Sequence, residues 1–269
     1  MSEPTPAPRV ADLLAEAHAL ADLAGARILP YFRKAIAVAN KQQGIGFDPV
    51  TEADKSAERV MRQALRKRFP DHSIVGEEYA AHETASRYRW VLDPIDGTRA
   101  FICGFPLWGV LIGLLDGDDA ILGMMDQPYT GERFWAAGSK AQMRDRHGKM
   151  RSLKTRRCAE LSAATLVATA PDMFIGAEQA TFARVSKGAR MTRFGGDCYA
   201  YCMLAAGQID LVVEAGLKPV DIVALIPIIE RAGGRVTTWD GGSPTNGGRI
   251  VAAGDPRLHE AALKMLSTR

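Results

Sequence analysis

The stretch Trp90-Val-Leu-Asp-Pro-Ile-Asp-Gly-Thr-Arg-Ala-Phe101 decides how this chain is read. Trp90, Val91 and Leu92 have the character of a strand end, and Asp93 follows at once. Pro94 fixes φ and has no N–H to donate, so the chain turns there. Asp96 comes three residues after Asp93, then Gly97 and Thr98. Such a turn can point two carboxylates at one spot and leave the N–H groups of Gly97 and Thr98 beyond them. Carboxylate oxygens are hard ligands suited to Mg²⁺, and free backbone N–H groups suit an anion such as phosphate. Metal and phosphate binding in one loop suggests phosphoryl chemistry. Asp-Pro-x-Asp-Gly is also good β-turn composition, and these residues alone leave both readings open.

Around this stretch the composition is that of a soluble globular protein. The 269 residues suffice for two ordinary domains or one large one. Apolar residues make up 47% and charged residues 24%. A net charge of +3 is too small to indicate a nucleic-acid or membrane partner. The opening Met-Ser-Glu-Pro-Thr-Pro-Ala-Pro has neither a basic nor an apolar signal region, so residues 1–9 are expected to be a disordered lead. The most apolar stretch, 219–229, contains Asp221 and is too short to span a bilayer. Cys103, Cys158, Cys198 and Cys202 form no C-x-x-C pair, which fits reduced thiols and a cytoplasmic location. The five histidines show no ligand spacing, so zinc is not expected.

Two halves emerge. In residues 10–150, helical periodicity marks 10–33 and 55–69, with a loop or hairpin over 40–49 between them. From Tyr88 to Ala137 the pattern is strands, with Asp116-Gly-Asp-Asp119 as a hairpin signal. Residues 144–157 carry seven Lys or Arg and are a candidate connection; a solvated face is preferred there to a nucleic-acid role. In residues 151–269 strands and helices alternate, including a helix over 222–232, which implies a layered α/β half.

Three further acids matter. Glu77 follows Ser73-Ile-Val-Gly76 at a strand exit. Asp54 ends Thr51-Glu-Ala-Asp54, a capping-box pattern before a helix, and Asp221 opens a later helix. Singly, each fits an ordinary cap or surface residue. Together, Gly76-Glu77-Glu78, Asp93-Pro-Ile-Asp-Gly-Thr98, Asp54, and Asp221 before a helix ending in Gly233-Gly234 resemble the inositol monophosphatase superfamily of magnesium-dependent, lithium-sensitive phosphatases. The resemblance runs from about residue 10 to the C-terminus. It implies a layered αβαβα sandwich of the inositol monophosphatase and fructose-bisphosphatase type, α+β in its first half and α/β in its second, and a homodimer.

The resemblance also implies roles. Glu77, Asp93 and the Ile95 carbonyl would bind one Mg²⁺. Asp93 would bridge to a second, held also by Asp96 and Asp221; two or three ions would act per site. The N–H groups of Gly97 and Thr98 would hold phosphate. Asp54 and the Thr98 hydroxyl, with Glu77, would direct in-line attack of a water activated on the metal. One departure is Val220, where the family usually has Trp before the metal-binding Asp.

Arg193-Phe-Gly-Gly-Asp-Cys-Tyr-Ala-Tyr201 and Val213-Glu-Ala-Gly-Leu-Lys-Pro-Val-Asp221 lie where the family contacts the rest of the ester. Glu214 falls seven residues before Asp221, matching a substrate-contacting Glu. Asp197 stands where the inositol enzymes tend to have a small residue; an N-cap is its alternative role. Two extra carboxylates favour an ester with cationic groups, such as histidinol phosphate, and the same strings look like the histidinol-phosphatase branch. Histidinol phosphatase of histidine biosynthesis is thus the leading expectation, with inositol monophosphatase the alternative. A nucleic-acid-binding protein on a phosphatase scaffold and a phosphatase for bisphosphorylated esters remain as other classes.

Overall fold

Apolar residues three and four apart make the first helix amphipathic, and in the computed structural model Leu13, Ala17, Leu20, Ala21, Ala24 and Ile28 all face inward. The structure describes residues 8–41 and 49–267. The expected disordered lead therefore lies almost wholly outside the described residues, as do positions 42–48 of the 40–49 loop. In chain order come α1 (Val10–Ile28), β1 (Ala39–Asn40), β2 (Pro49–Val50), α2 (Glu52–Arg68), β3 (Ser73–Gly76), β4 (Tyr88–Asp96) and α3 (Thr98–Ile102). Then follow β5 (Gly109–Asp116), β6 (Asp119–Gln127), β7 (Glu132–Ala137), β8 (Lys140–Arg144), β9 (Met150–Ser152), β10 (Thr165–Ala168) and α4 (Ala177–Gly188). The remainder is β11 (Met191–Phe194), α5 (Asp197–Ala205), β12 (Leu211–Leu217), α6 (Pro219–Ile222), α7 (Leu225–Arg231), β13 (Arg235–Thr238), β14 (Gly248–Ala253) and α8 (Pro256–Ser267).

Strands β3 to β9 form one sheet in sequence order, antiparallel except for the parallel pair β3–β4. The second sheet has the order β11-β10-β12-β14-β13, with β14 antiparallel to both its neighbours. Helices α1 and α2 cover the outer face of the first sheet. Helices α5, α6 and α7 fill the space between the sheets, and α4 and α8 cover the second sheet. The result is the expected αβαβα layering. Burial on both faces explains the nearly uninterrupted apolar runs of β4, β5 and β6.

Two local expectations are adjusted. The basic run 144–157 does not begin as a linker: Arg144 ends β8 and 150–152 form the edge strand β9. The helix expected over 222–232 divides into α6 and α7. Pro227 has no N–H for the Val223 carbonyl, so a helical bond is lost there. The second half is the expected α/β layer, and its strands β13 and β14 form an antiparallel hairpin.

Candidate metal centre and ester pocket

The site begins where β3 ends beside its parallel neighbour β4. Gly76 of β3 stands opposite Leu92 of β4, so Glu77, the first residue past β3, comes out beside Asp93, which is still paired with Leu111 of β5. Beyond Asp93 the register shifts before Asp96, and Ile95 N–H donates to Asp93 Oδ1 (3.0 Å). This bulge turns Asp93, the Ile95 backbone and Asp96 towards one cavity. Gly97 follows with φ of 82°, a left-handed conformation suited to glycine. A Cβ on Gly97 would lie 3.1 Å from Asp197 Cβ, so the two loops touch there.

Asp221 arrives from the second half. It is the third residue of α6, and its Oδ2 accepts from Lys218 N–H (2.7 Å). Oxygens of Asp93, Asp96 and Asp221 lie within 4.8 Å of one another. Glu77 lines the same cavity but stands outside this trio: its Oε1 is 3.1 Å from both Lys41 Nζ and Lys218 Nζ. The cavity, about 310 Å³, is also lined by Ile95, Gly97, Thr98, Arg99, Asp197 and Glu214.

Asp54 does not line the cavity, but it is buried beside it. Its Oδ2 accepts from Thr51 N–H (2.8 Å) and from the Thr51 hydroxyl (2.6 Å), closing the capping box of α2. Its Oδ1 is buried with no protein partner, which costs free energy unless a water or cation satisfies it. The Thr98 hydroxyl donates to the Ile95 carbonyl (3.0 Å). The structure therefore joins Asp54 to Thr51 rather than to Thr98.

The acids repel one another strongly. Burial pushes Asp93 and Asp96 well above the usual carboxylate range, and neighbouring carboxylates add to the effect. Burial also lifts Asp221 and Asp197 to about 6 and raises Asp54 and Glu214. So many carboxylates cannot all ionise unless a cation joins them. The donor set is wholly oxygen, which suits Mg²⁺ or Mn²⁺ rather than zinc. With the orphaned Asp54 oxygen, these residues fit a divalent cation.

Asp197 and Glu214 line the same cavity. Gly195, Gly196 and Asp197 have φ of 88°, 125° and 44°, so the chain enters α5 through a left-handed turn. Asp197 is thus not the N-cap; Asp96 Oδ2 accepts from Cys198 N–H instead (2.7 Å). Glu214 is tightly held: Oε1 takes Thr169 N–H (2.9 Å) and the Thr169 hydroxyl, and Oε2 takes the Tyr201 hydroxyl (2.8 Å). Val220 is buried against Val91, Leu115 and Val223, a small apolar nest next to Asp221.

Sequence reasoning passed over several contributors. Lys41 gave no motif signal, and Lys218 lay within the Val213–Asp221 string without a role of its own. Glu58 and Arg62 form a buried pair inside α2 (2.7 Å), and Glu58 Oε2 accepts Glu78 N–H (2.7 Å), holding the turn that carries Glu77. Their four-residue spacing in an amphipathic helix was the available clue.

The chain's likeness to known proteins agrees with this geometry. The sequence profile of the inositol monophosphatase family matches residues 10–269. The chain is 41% identical over 260 residues to the bifunctional phosphatase IMPL2, chloroplastic, of Arabidopsis thaliana, covering 93% of this chain and 73% of that protein. It is 37% identical over 220 residues to a histidinol-phosphatase of Chlorobaculum parvum, covering 80% and 81%. Among solved structures, an inositol monophosphatase from Zymomonas mobilis matches with a TM-score of 0.85 at 37% identity, over 97% of this chain and 100% of that one. The chain belongs to the inositol monophosphatase family.

Proposed function

We propose that this phosphatase is a Mg²⁺-dependent histidinol-phosphate phosphatase. The observation that carries the substrate is Asp197, a further carboxylate lining the cavity that holds Asp93, Asp96 and Asp221. A carboxylate there favours an ester whose body carries an ammonium or imidazolium. The histidinol-phosphatase relatives support the same substrate.

In this reading Glu77, Asp93, the Ile95 carbonyl, Asp96 and Asp221 hold the cations. When bound, they neutralise the ester's charge and supply an activated water for in-line attack. The N–H groups of Gly97 and Thr98 hold the phosphate. The unpartnered Asp54 Oδ1 and the Thr98 hydroxyl orient the attacking water, Thr51 fixing the Asp54 carboxylate from behind. Asp197 receives the cationic end of the ester, and the Thr169–Glu214–Tyr201 cluster forms the wall beside it.

The test is a panel of phosphate esters assayed with Mg²⁺. Histidinol phosphate should be the best substrate. Asp197→Asn should lower kcat/KM for it by about ten- to a hundredfold, since a charged hydrogen bond is worth roughly 1.5–3 kcal/mol. Hydrolysis of p-nitrophenyl phosphate should change far less. Faster turnover of inositol 1-phosphate would instead favour an inositol monophosphatase, the reading the Zymomonas structure supports.

A further inference from the structure

Lys218 joins the two halves of the site. It is the N-cap residue of α6, and its N–H donates to Asp221 Oδ2 (2.7 Å). Its backbone is therefore tied to a carboxylate of the acidic trio, and Pro219 fixes φ at the next residue. Its side chain crosses to the first half, where Nζ lies 3.1 Å from Glu77 Oε1. Lys41, just after β1, brings a second ammonium to the same oxygen, also at 3.1 Å. One carboxylate oxygen thus receives two cationic groups from opposite halves of the chain.

The two lysines are not equivalent. The Lys41 side chain is 22% exposed. The Lys218 side chain is 53% exposed. A long, half-exposed ammonium can swing into water at small cost. A divalent cation on Glu77 would sit roughly 2–2.5 Å from its oxygen. It would then repel any ammonium still on that oxygen.

We infer that Lys218 is a built-in competitor for the cation at Glu77. Its ammonium holds the Glu77 carboxylate in the cation-free protein and withdraws when a divalent ion enters, so it weakens and sets the affinity of the site. The inference rests on the reading of Glu77 as a cation ligand. It makes Lys218 a positioning residue that acts through Glu77.

The test is calorimetric titration of Mg²⁺ into the full-length, cation-free protein without substrate. Lys218→Gln should bind Mg²⁺ about three- to tenfold tighter than the wild type, the scale expected for losing an exposed ion pair and its repulsion of the ion. Lys218→Arg keeps the charge and should stay close to the wild type. Glu77→Gln should weaken binding, and in that background Lys218→Gln should bring no further gain, because the coupling runs through Glu77. Unchanged or weaker binding by Lys218→Gln would overturn the inference, as would an equal gain in the Glu77→Gln background, which would indicate only a general field effect. If Glu77→Gln leaves Mg²⁺ binding untouched, the ligand reading of Glu77 fails and the inference falls with it.

Discussion

At Asp93, burial and the charges of Glu77, Asp96, Asp221 and Asp54 all act in one direction, raising its pKa. A cation reverses that balance. Asp93→Asn should therefore cut turnover by three or more orders of magnitude, while the cation-free variant melts at or above the wild-type temperature because a repulsion has gone. Near wild-type turnover in a steady-state assay would reduce Asp93 to a turn residue. Asp96 holds a cluster oxygen and the α5 N-terminus together, so Asp96→Ala should lose stability as well as activity. Glu214 is held by three donors from Thr169 and Tyr201, so Glu214→Gln should disturb the wall itself. Denaturant melts should show a loss of about 1–3 kcal/mol, the cost of mispairing buried polar groups.

Strand β6 and the α6–α7 segment meet at their backbones. A Cβ on Gly123 would lie 1.8 Å from the Ala224 carbonyl oxygen and 2.7 Å from Pro227 Cγ, and neither can simply rotate away. Gly123→Ala should destabilise by about 3 kcal/mol through overpacking and weaken Mg²⁺ binding, since the displaced segment carries Asp221. Gly138→Ala is the contrast: nothing lies within 4 Å of its Cβ, and only its φ of 61° opposes the change. Urea titration should give a loss of roughly 1–2 kcal/mol there, with Mg²⁺ binding intact. A stability loss at Gly123 no greater than at Gly138 would show that the segment can shift freely.

Across the whole molecule, two sets of groups oppose each other as pH changes. Asp221 and Asp197 titrate near 6 in the folded chain, against about 3.9 unfolded. The folded state binds the extra protons, so their contribution is present below pH 4 and is lost as pH rises through 6. His18 and His259 are pushed down to about 4 by burial. Theirs is present above pH 6.5 and is lost as pH falls towards 4. Mg²⁺ competes with protons on the carboxylates, so scanning calorimetry should show it raising Tm more at pH 7.5 than at pH 5. A chelator should abolish turnover, and Mg²⁺ should restore it. Equal Mg²⁺ stabilisation at both pH values would argue against the carboxylates as its ligands. Much of this was determined by the sequence alone. Apolar spacing marked α1 and α2 and the Asp116–Asp119 turn marked its hairpin, because short-range turn chemistry and periodicity are local properties; that Glu77, Asp93, Asp96 and Asp221 belong to one site was implied only by the resemblance to the family. Only the tertiary structure decided that Asp54 pairs with Thr51, that Asp96 rather than Asp197 caps α5, and that Glu214 is clamped from two sides. It alone brought Lys218 across 141 positions to Glu77, since contacts between the two sheets depend on how the layers pack and leave no periodic trace in the chain.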